Sequence, residues 1–359
     1  MTDAPVSAIA TSDDDVAIKV CVRVRPFIHE EISGQRSGGK LQLCIKMPTK
    51  TSVEMIGRTP EPKSFEFDRC YWSHSEDHPN FADQDTLYEE LGKGMLVQAL
   101  KGFNNCIFAY GQTGSGKSYS VLGGKSPKEQ GLLPRIVTGL FQEFAKLDEK
   151  DEKKCMVSFV EIYNEQIMDL LIPGGSSAEI QKLEVRQHPT LGTFIPGLTE
   201  SPVVSEESVM KLVDYGTTMR HVSATAMNAT SSRSHCIFSF KTSIVQAFSG
   251  QEKYSQTHLV DLAGSERAGR TKAEGARLKE GAAINQSLST LARVISDLAK
   301  LSQAKGDKKK GINPPFRDSK ITYILKESLS GNSKTVMMAA ISPSIEDYEE
   351  TLSTMKFCQ

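Results

Sequence analysis

The octapeptide at residues 111–118 constrains the fold of this 359-residue chain more than any other feature. It reads Gly-Gln-Thr-Gly-Ser-Gly-Lys-Ser, which fits G-x-x-x-x-G-K-[S/T], and the apolar run 106–110 before it predicts a buried strand. A strand, a glycine loop and a helix start cradle polyphosphate, because glycines let backbone N–H groups turn towards an anion that the helix end also attracts. We therefore predict nucleoside triphosphate binding, with Lys117 on the β/γ oxygens and the Ser118 hydroxyl on Mg²⁺.

Strand and helix patterns alternate along the rest of the chain. Alternating or β-rich runs predict strands at 16–25, 64–67, 157–163, 235–248, 257–261 and 335–342. Apolar residues at helical spacing predict helices at 133–144, 282–302, 318–329 with Asp318 as N-cap, and about 346–357. This interleaving predicts an α/β fold with helices on both faces of a sheet.

Composition narrows the organisation and the class of protein. No linker or repeat divides the chain, so we predict a disordered polar leader at 1–15, one domain at 16–359, and flexible loops at 174–177 and 306–311. The cysteines form no C-x-x-C pair, and five of the seven lie in strand-like runs, which favours buried free thiols in a reducing compartment. A net charge of −1 disfavours a nucleic-acid translocase. The leader resembles no signal peptide and no apolar run reaches membrane-spanning length, so we expect a cytosolic protein.

A second motif, Asp261-Leu262-Ala263-Gly264, follows another predicted strand. Asp261 at a strand tip suits Mg²⁺ held through water. The N–H of Gly264 can approach a γ-phosphate, and its two positions, bonded or not, would report whether that phosphate is present. Asp-x-x-Gly alone is a weak signal, but its place after a strand and downstream of a phosphate loop strengthens it.

A third motif, residues 228–235, reads Asn-Ala-Thr-Ser-Ser-Arg-Ser-His and crowds hydroxyls around one arginine. Such hydroxyls can ligate Mg²⁺, bond a γ-phosphate oxygen or orient water. An ordinary helix-to-strand loop, where Ser and Asn are common, is the alternative. Arg233 and Glu266 indicate a function only as a pair, since an ion pair between them would enclose the attacking water; separately, each is a solvated loop charge.

Residues 111–118, 228–235 and 261–267 resemble, in order and spacing, the phosphate loop, switch I and switch II of the kinesin motor domain. Arg23-Val24-Arg25-Pro26 resembles that family's adenine-contacting motif, and the similarity continues through residues 278–281, 285–288, 316–320 and 351–354 to cover 16–357. The resemblance implies a P-loop NTPase of the kinesin/myosin type, whose mixed, mostly parallel sheet of about eight strands lies between helices. It also implies ATP or ADP with Mg²⁺ as ligands.

The resemblance assigns site residues one by one. It implies nucleotide contacts for Arg23, Arg25, Pro26, Gln112, Thr113, Gly114, Ser115, Gly116, Lys117, Ser118 and Tyr119. It implies Mg²⁺ ligation by Ser118, by Ser231 and, through water, by Asp261. It implies catalytic roles for Lys117, Ser231, Ser232, Arg233, Gly264 and Glu266, and places Asn285 on the helix that carries the signal to the track. In-line attack by water then needs positioning and charge stabilisation rather than a strong base.

The implied partner is the microtubule, whose acidic tubulin surface is expected to face basic loops. The candidate contacts are Lys272, Arg277, Lys279, Lys308, Lys309, Lys310, Arg317 and Lys320. Alone, a lysine-rich loop is ordinary solvated surface, but beside the switch II helix it predicts a tether screened over about 8–10 Å. We expect no contact with nucleic acid or membrane, a cytoplasmic, cytoskeletal location and a monomeric fragment; dimerisation through further segments stays open.

A subfamily and a direction also follow from the resemblance. Residues 277–282, 314–317 and 326–333 resemble the kinesin-3 group, as does an aromatic, Tyr323, where other kinesins have Arg. Only three consecutive lysines stand beside Asp307, so the predicted tether is modest. The chain ends at Gln359 before any neck linker or coiled coil, so we expect a motor head; a leader without heptads favours an N-terminal, plus-end-directed type.

Two other classes of protein share part of this pattern. A GTPase-type switch has the phosphate loop and Asp-x-x-Gly, but no Asn-Lys-x-Asp guanine motif occurs in this sequence. A microtubule-binding module without turnover would have lost a switch residue, whereas Lys117, Ser232, Arg233, Gly264 and Glu266 are all present. The sequence therefore favours a microtubule-stimulated ATPase.

Overall fold

The computed structural model describes residues 18–34, 41–172, 183–189, 192–226, 231–266, 276–303, 311–330 and 333–359, without the side chains of 223–226, 231 and 276–283. The strands in these ranges are β1 (Ile18–Val24), β2 (Ile45–Lys46), β3 (Ser52–Met55), β4 (Lys63–Glu66), β5 (Arg69–Trp72), β6 (Asn104–Tyr110), β7 (Glu152–Tyr163), β8 (Gln166–Asp169), β9 (Arg186–His188), β10 (Gly192–Phe194), β11 (Ser201–Val203), β12 (His235–Val245), β13 (Glu252–Asp261) and β14 (Ser333–Ile341). The α-helices are α1 (His29–Ile32), α2 (Gln84–Leu87), α3 (Lys93–Leu100), α4 (Lys117–Val121), α5 (Leu132–Lys146), α6 (Glu206–Ala226), α7 (Ala276–Gln303), α8 (Lys320–Ile324), α9 (Lys326–Ser330) and α10 (Tyr348–Cys358). A π-helical turn, Tyr88–Gly92, joins α2 to α3, and 3₁₀ turns lie at Pro127–Glu129, Ser231–Arg233, Phe316–Asp318 and Ile345–Asp347.

The main sheet has the strand order β11-β7-β12-β13-β6-β14-β1-β5, with β8 paired to β7. The five strands from β13 to β5 in this order run parallel to one another. The other strands pair antiparallel with their neighbours, and β12 joins the two parts by pairing antiparallel with β13. The predicted mixed central sheet of about eight strands is confirmed.

Helices cover both faces of this sheet because its central strands are apolar on both sides. In β6, Phe108 belongs to a core that includes residues of α7, α8 and α10, and its neighbour Ile107 belongs to a second core with residues of α3, α5 and α6. Successive side chains of a strand point to opposite faces, so a continuous apolar run needs cover on both. The predicted α/β layering is therefore confirmed.

Most predicted elements are present, with shifted ends. Helix α7 begins at Ala276, earlier than the predicted residue 282, and β12 ends at Val245 rather than 248. The single helix predicted from Asp318 to 329 is wrong, because two short helices occupy this stretch and the N-cap position of α8 is Ser319. The Glu165 carboxylate, from the β7–β8 turn, accepts hydrogen bonds from Ser319 Oγ (3.0 Å) and Lys320 N–H (2.6 Å). A distant acid thus satisfies the free N–H that Asp318 was predicted to cap.

Other predictions concern cysteines, loops and membranes. All seven cysteines are buried and free, as predicted for the five in strand-like runs. Burial raises the pKa of the Cys236 thiol to about 12, so this group stays protonated. The leader 1–15, the loop 174–177 and most of 306–311 lie outside the described residues. Among the helices that are described, none combines the length and apolarity that crossing a bilayer requires.

The parallel strands bring the predicted motifs to one edge of the sheet. Asp261 at the end of β13 lies opposite Ala109 of β6, and Ala340 of β14 lies opposite Arg23 of β1. The N–H of Leu262 donates to Ala109 O at 3.2 Å, which fixes the loop after β13 against the loop after β6. Ligands of open α/β sheets bind at this carboxyl edge.

Candidate functional site

The glycine loop 111–116 leaves the end of β6 and turns sharply beside β14. Gly111 has φ +146°, and a Cβ there would lie 2.2 Å from the carbonyl oxygen of Ala340, so a side chain does not fit. Within the described part of the chain, the N–H groups of Gly114 and Gly116 donate to no protein acceptor, which leaves them available to an anion. The structure has the predicted strand, loop and helix, although α4 is only five residues long.

Lys117 is buried at the first position of α4. Its Nζ donates to the carbonyl oxygens of Gly111 (2.9 Å) and Gln112 (2.8 Å). Burial lowers the pKa of this ammonium, while the charges of Asp261 and Glu266 act in the opposite direction. An ammonium has three N–H donors, so two neutral carbonyls leave capacity for a phosphate oxygen.

Ser118 and Asp261 form a close pair below the glycine loop. Ser118 Oγ donates to Asp261 Oδ2 at 2.5 Å, and Asp261 Oδ1 is buried with no hydrogen-bond partner among the described residues. A hydroxyl beside a carboxylate with a free oxygen fits Mg²⁺, which prefers oxygen ligands and keeps waters and substrate phosphates in its shell. In the described ranges no group of three or more His, Cys, Asp or Glu offers an all-protein alternative. Only the backbone of Ser231, the third predicted ligand, is described.

A pocket of about 990 Å³ extends from this pair to the end of β1 and the residues that follow it. Its phosphate end is lined by residues that include Thr113, Lys117 and Ser232, and its other end by apolar and aromatic groups such as Pro26 and Tyr119. Tyr119 is 40% exposed, so it remains accessible to a ligand. An anion-binding end joined to a flat apolar end suits a nucleotide.

The two arginines of the predicted adenine motif support the pocket rather than point freely into it. Arg23 is 5% exposed and donates to Ser73 Oγ (2.9 Å), Gln84 Oε1 (3.0 Å) and Ser120 Oγ (3.0 Å). Burial lowers the pKa of its guanidinium to about 10, and the group lies 5.4 Å from the centre of the Tyr119 ring. Arg23 therefore fixes Tyr119 from one side.

Arg25 braces the glycine loop. Its Nε donates to Gly114 O at 2.6 Å, and its two terminal nitrogens bind the buried Glu31 carboxylate at 2.8 and 2.7 Å. This bidentate pair holds the guanidinium in one orientation. Arg25 thus contacts the loop backbone, a role that the adenine motif did not predict.

The loop after β13 meets both the glycine loop and the 3₁₀ turn at Ser231–Arg233. The N–H of Gly264 donates to Ser232 O at 2.8 Å, and the N–H of Ser265 donates to Gly111 O at 3.1 Å. A Cβ on Gly264 would lie 2.3 Å from Glu266 Oε2 and 2.5 Å from Thr113 Oγ1, so a side chain there would displace the contact between these two residues. The structure therefore brings together the three motifs that the sequence separates.

Glu266 contacts the glycine loop. Its carboxylate accepts hydrogen bonds from Thr113 N–H at 2.8 Å and from the Thr113 hydroxyl. We predicted a pair between Glu266 and Arg233; the Thr113 contact was not predicted, and the pair stays a prediction. A hydrogen bond between a carboxylate in one loop and a distant loop leaves no local pattern in a sequence.

A buried ionic cluster behind Asp261 was also missed. Arg220 of α6 donates through Nε to Glu161 Oε1 of β7 (3.1 Å) and through Nη2 to Ser234 Oγ (3.1 Å). Ser234 Oγ donates to the same Glu161 oxygen at 2.5 Å, and Arg220 Nη1 lies 3.9 Å from Asp261 Oδ2. The cluster holds the start of β12 to the strand that carries Asp261.

His235 is fully buried where β12 begins. Its Nδ1 accepts from Ala263 N–H at 3.0 Å, and its Nε2 lies 2.8 Å from Ser287 Oγ on α7. Burial, with Arg220 and Lys117 adding to the effect, lowers the pKa of the imidazole to about 3, so the ring is neutral near pH 7.

The predicted basic face is only partly described. Arg317 is exposed, with its guanidinium 5.5 Å from the centre of the Tyr323 ring. Lys320 forms an ion pair with Glu184 and is half-buried. Arg277 and Lys279 lie in the first turn of α7, but their side chains are not described, and Lys272, Lys308, Lys309 and Lys310 lie outside the described residues.

Known proteins have sequences similar to that of this chain. The chain is 45% identical over 349 residues to the kinesin-like protein unc-104 of Caenorhabditis elegans and 44% identical over 353 residues to human KIF1B, each alignment covering 95% of the chain. Both relatives belong to the kinesin-3 group, as the sequence predicted. The chain spans only about a fifth of their length, 21% and 19% respectively.

Solved structures agree with the sequence comparison. The structure of a fast kinesin matches with a TM-score of 0.83 at 36% identity and covers 95% of this chain and 90% of its own. A KIF14 structure with AMP-PNP in complex with a microtubule matches with a TM-score of 0.83 at 38% identity, covering 95% and 92%. The kinesin motor domain family model matches residues 23–359. The chain, whose loops meet at the carboxyl edge of this sheet, therefore belongs to the kinesin motor domain family.

Proposed function

We propose that this chain is a microtubule-stimulated ATPase that couples ATP binding, hydrolysis and phosphate release to its affinity for microtubules, and that drives movement towards the plus end. The contact of the 264–266 loop with both the glycine loop and Ser232 carries the proposal. A γ-phosphate bound between these loops would displace hydrogen bonds that now join them, which is the requirement for a switch.

In the proposed reaction the nucleotide phosphates lie along the glycine loop. Lys117 binds β/γ oxygens, and the free N–H groups of Gly114 and Gly116 add neutral donors. Pro26 and Tyr119 flank the adenine, with Arg23 behind the tyrosine. Bound Mg²⁺ would neutralise developing charge, and Ser118, Ser231 and, through water, Asp261 would hold it.

Hydrolysis also needs a positioned water. The Gly264 N–H would leave Ser232 O for a γ-phosphate oxygen, which brings Ser232, Arg233 and Glu266 around the attacking water. Holding the water in line with the leaving oxygen lowers the barrier mainly through orientation. No strong general base is required.

We expect microtubules to raise the steady-state ATPase rate of the purified chain by orders of magnitude, because product release is proposed to depend on track binding. The measurement is ATP turnover against microtubule concentration, with GTP as a second substrate. Actin filaments at equal mass are the control for a non-specific effect of an acidic polymer. Equal turnover with and without microtubules would refute the motor proposal, and a preference for GTP would favour the GTPase-type switch.

Replacing Lys308, Lys309 and Lys310 with Ala should weaken microtubule affinity most at low salt. Exposed ion pairs contribute about 0.2–1 kcal/mol each, so three predict a roughly 3- to 160-fold loss that shrinks as salt screens it. Co-sedimentation at several salt concentrations measures the effect. The matched control replaces Lys93, Lys146 and Lys211, which are exposed on α3, α5 and α6 across the sheet from α7. If microtubule affinity at low salt is unchanged, residues 308–310 do not act as a tether and are ordinary solvated surface.

A further inference from the structure

Two buried hydrogen bonds through His235 join the loop after β13 to helix α7, and a third bond continues within α7. Ala263 N–H donates to His235 Nδ1 at 3.0 Å, and His235 Nε2 lies 2.8 Å from Ser287 Oγ. Ser287 Oγ in turn donates to Ile284 O, one turn back on α7, at 2.7 Å. Ala263, His235 and Ser287 are 0%, 3% and 2% exposed, so water does not compete for these bonds.

The donors and acceptors of this link permit one arrangement of protons. A backbone N–H can only donate, so Nδ1 of His235 must carry a lone pair, and its proton is therefore on Nε2. That Nε2–H donates to Ser287 Oγ, whose own proton is used on the carbonyl of Ile284. Only this tautomer gives every N–H and O–H donor in the link an acceptor, so the hydrogen bonds run in one direction from Ala263 to Ile284 and the link is rigid.

We propose that His235 is a positioning residue that couples the 262–264 loop to α7 through Ser287. Ala263 directly precedes Gly264, whose N–H bonds Ser232 O, so a shift of the loop at Gly264 must also move or break the bond to His235. The imidazole transmits this shift to the side chain of Ser287 and thus to the third and fourth turns of α7. The inference rests on the proposed function, since a γ-phosphate is what displaces the loop.

This route is distinct from general packing between the sheet and α7. Leu288, Leu291 and Val294 of α7 also lie in the core, but apolar contacts are non-directional, whereas a hydrogen bond weakens steeply when its angle or length leaves a narrow range. Ser287 is therefore the position at which loop movement and helix movement are tied together.

Amide hydrogen exchange of the full chain, with ADP and with a non-hydrolysable ATP analogue, tests the coupling. The variant is Ser287→Ala. The matched control is Ser289→Ala, because the Ser289 hydroxyl makes the same kind of bond, to Gln286 O at 3.0 Å, on the exposed face of α7. We expect the wild type and Ser289→Ala to show a nucleotide-dependent difference in exchange both at 111–118 and at 284–303. In Ser287→Ala the difference at 111–118 should remain, and the difference at 284–303 should fall by more than half.

A second variant tests whether the effect of Ser287→Ala comes from the lost hydroxyl or from a loss of folding. Ser287→Thr keeps the hydroxyl and should restore the difference at 284–303, which a merely destabilising lesion at this position would not allow. His235→Asn should behave as Ser287→Ala does, because its shorter amide can accept from Ala263 N–H but cannot reach Ser287. The double variant should be no worse than either single one, as expected for two members of one link.

The outcomes separate this inference from the proposed function. If exchange at 111–118 in the wild type is the same with ADP and with the analogue, the proposed response to the γ-phosphate fails and the coupling with it. If 111–118 responds but 284–303 does not, or if Ser287→Ala matches Ser289→Ala at 284–303, the coupling through His235 is overturned while nucleotide binding stands.

Discussion

Glu266→Ala should bind ATP and microtubules but hydrolyse ATP roughly 10²- to 10⁴-fold more slowly than the wild type, the range expected when a positioned polar group is lost. The Glu266 carboxylate bonds the N–H and the hydroxyl of Thr113, so it lies where the glycine loop and the loop after β13 meet. In the proposed closed state this carboxylate pairs with Arg233 and encloses the attacking water. Acid-quenched single-turnover cleavage of ATP, with nucleotide binding measured separately, isolates the chemical step from product release.

Thr113→Val distinguishes two explanations for that loss. It removes the hydroxyl that bonds Glu266 and keeps both the side-chain volume and the backbone N–H. If Glu266 acts on the water, Thr113→Val should retain most of the turnover; if Glu266 only anchors Thr113, Thr113→Val should also be slow, although less so than Glu266→Ala because its N–H still bonds Glu266. Glu143→Ala, which removes a surface glutamate paired with Lys146, controls for loss of charge. Wild-type turnover in Glu266→Ala would reject its role in hydrolysis.

The glycine loop and the strands were predictable because their signals are local. Gly111 needs a conformation and a closeness to Ala340 that only glycine allows, and an unbroken apolar strand precedes it. Asp261 follows an apolar strand in the same way. Since parallel strands end at one edge of a sheet, these two patterns were enough to place Ser118 near Asp261.

The connections behind these motifs were not predictable, because each joins residues far apart in the sequence. Glu165 caps α8 from a turn that is 154 residues earlier than Ser319, and Arg220 reaches Glu161 across 59 residues. Sequence patterns report spacing within one helix or strand, whereas such pairs depend on which elements become neighbours. His235 was noted only as the end of a hydroxyl-rich motif, although it contacts both Ala263 and Ser287.

Arg220→Met should destabilise the fold by about 3–5 kcal/mol, since removing one partner of a buried pair leaves an uncompensated charge. The side chains of Arg220 and Glu161 are only 10% and 5% exposed, so water does not replace the guanidinium around Glu161. A domain is stable by about 5–15 kcal/mol, so the loss is a large fraction of the total. Urea unfolding at an unchanged m-value measures it.

Two further variants show whether the charge or the packing decides this loss. Lys211→Met removes a cation of the same helix whose pair with Glu207 is 74% and 77% exposed, and should change stability by no more than about 1 kcal/mol. Arg220→Met combined with Glu161→Met removes both charges and should recover part of the lost stability, because well-packed apolar groups can replace a buried ion pair. If the double variant is less stable than Arg220→Met, the Ser234–Glu161 hydrogen bond that Arg220→Met keeps outweighs the cost of the buried carboxylate, and an uncompensated charge does not explain the loss.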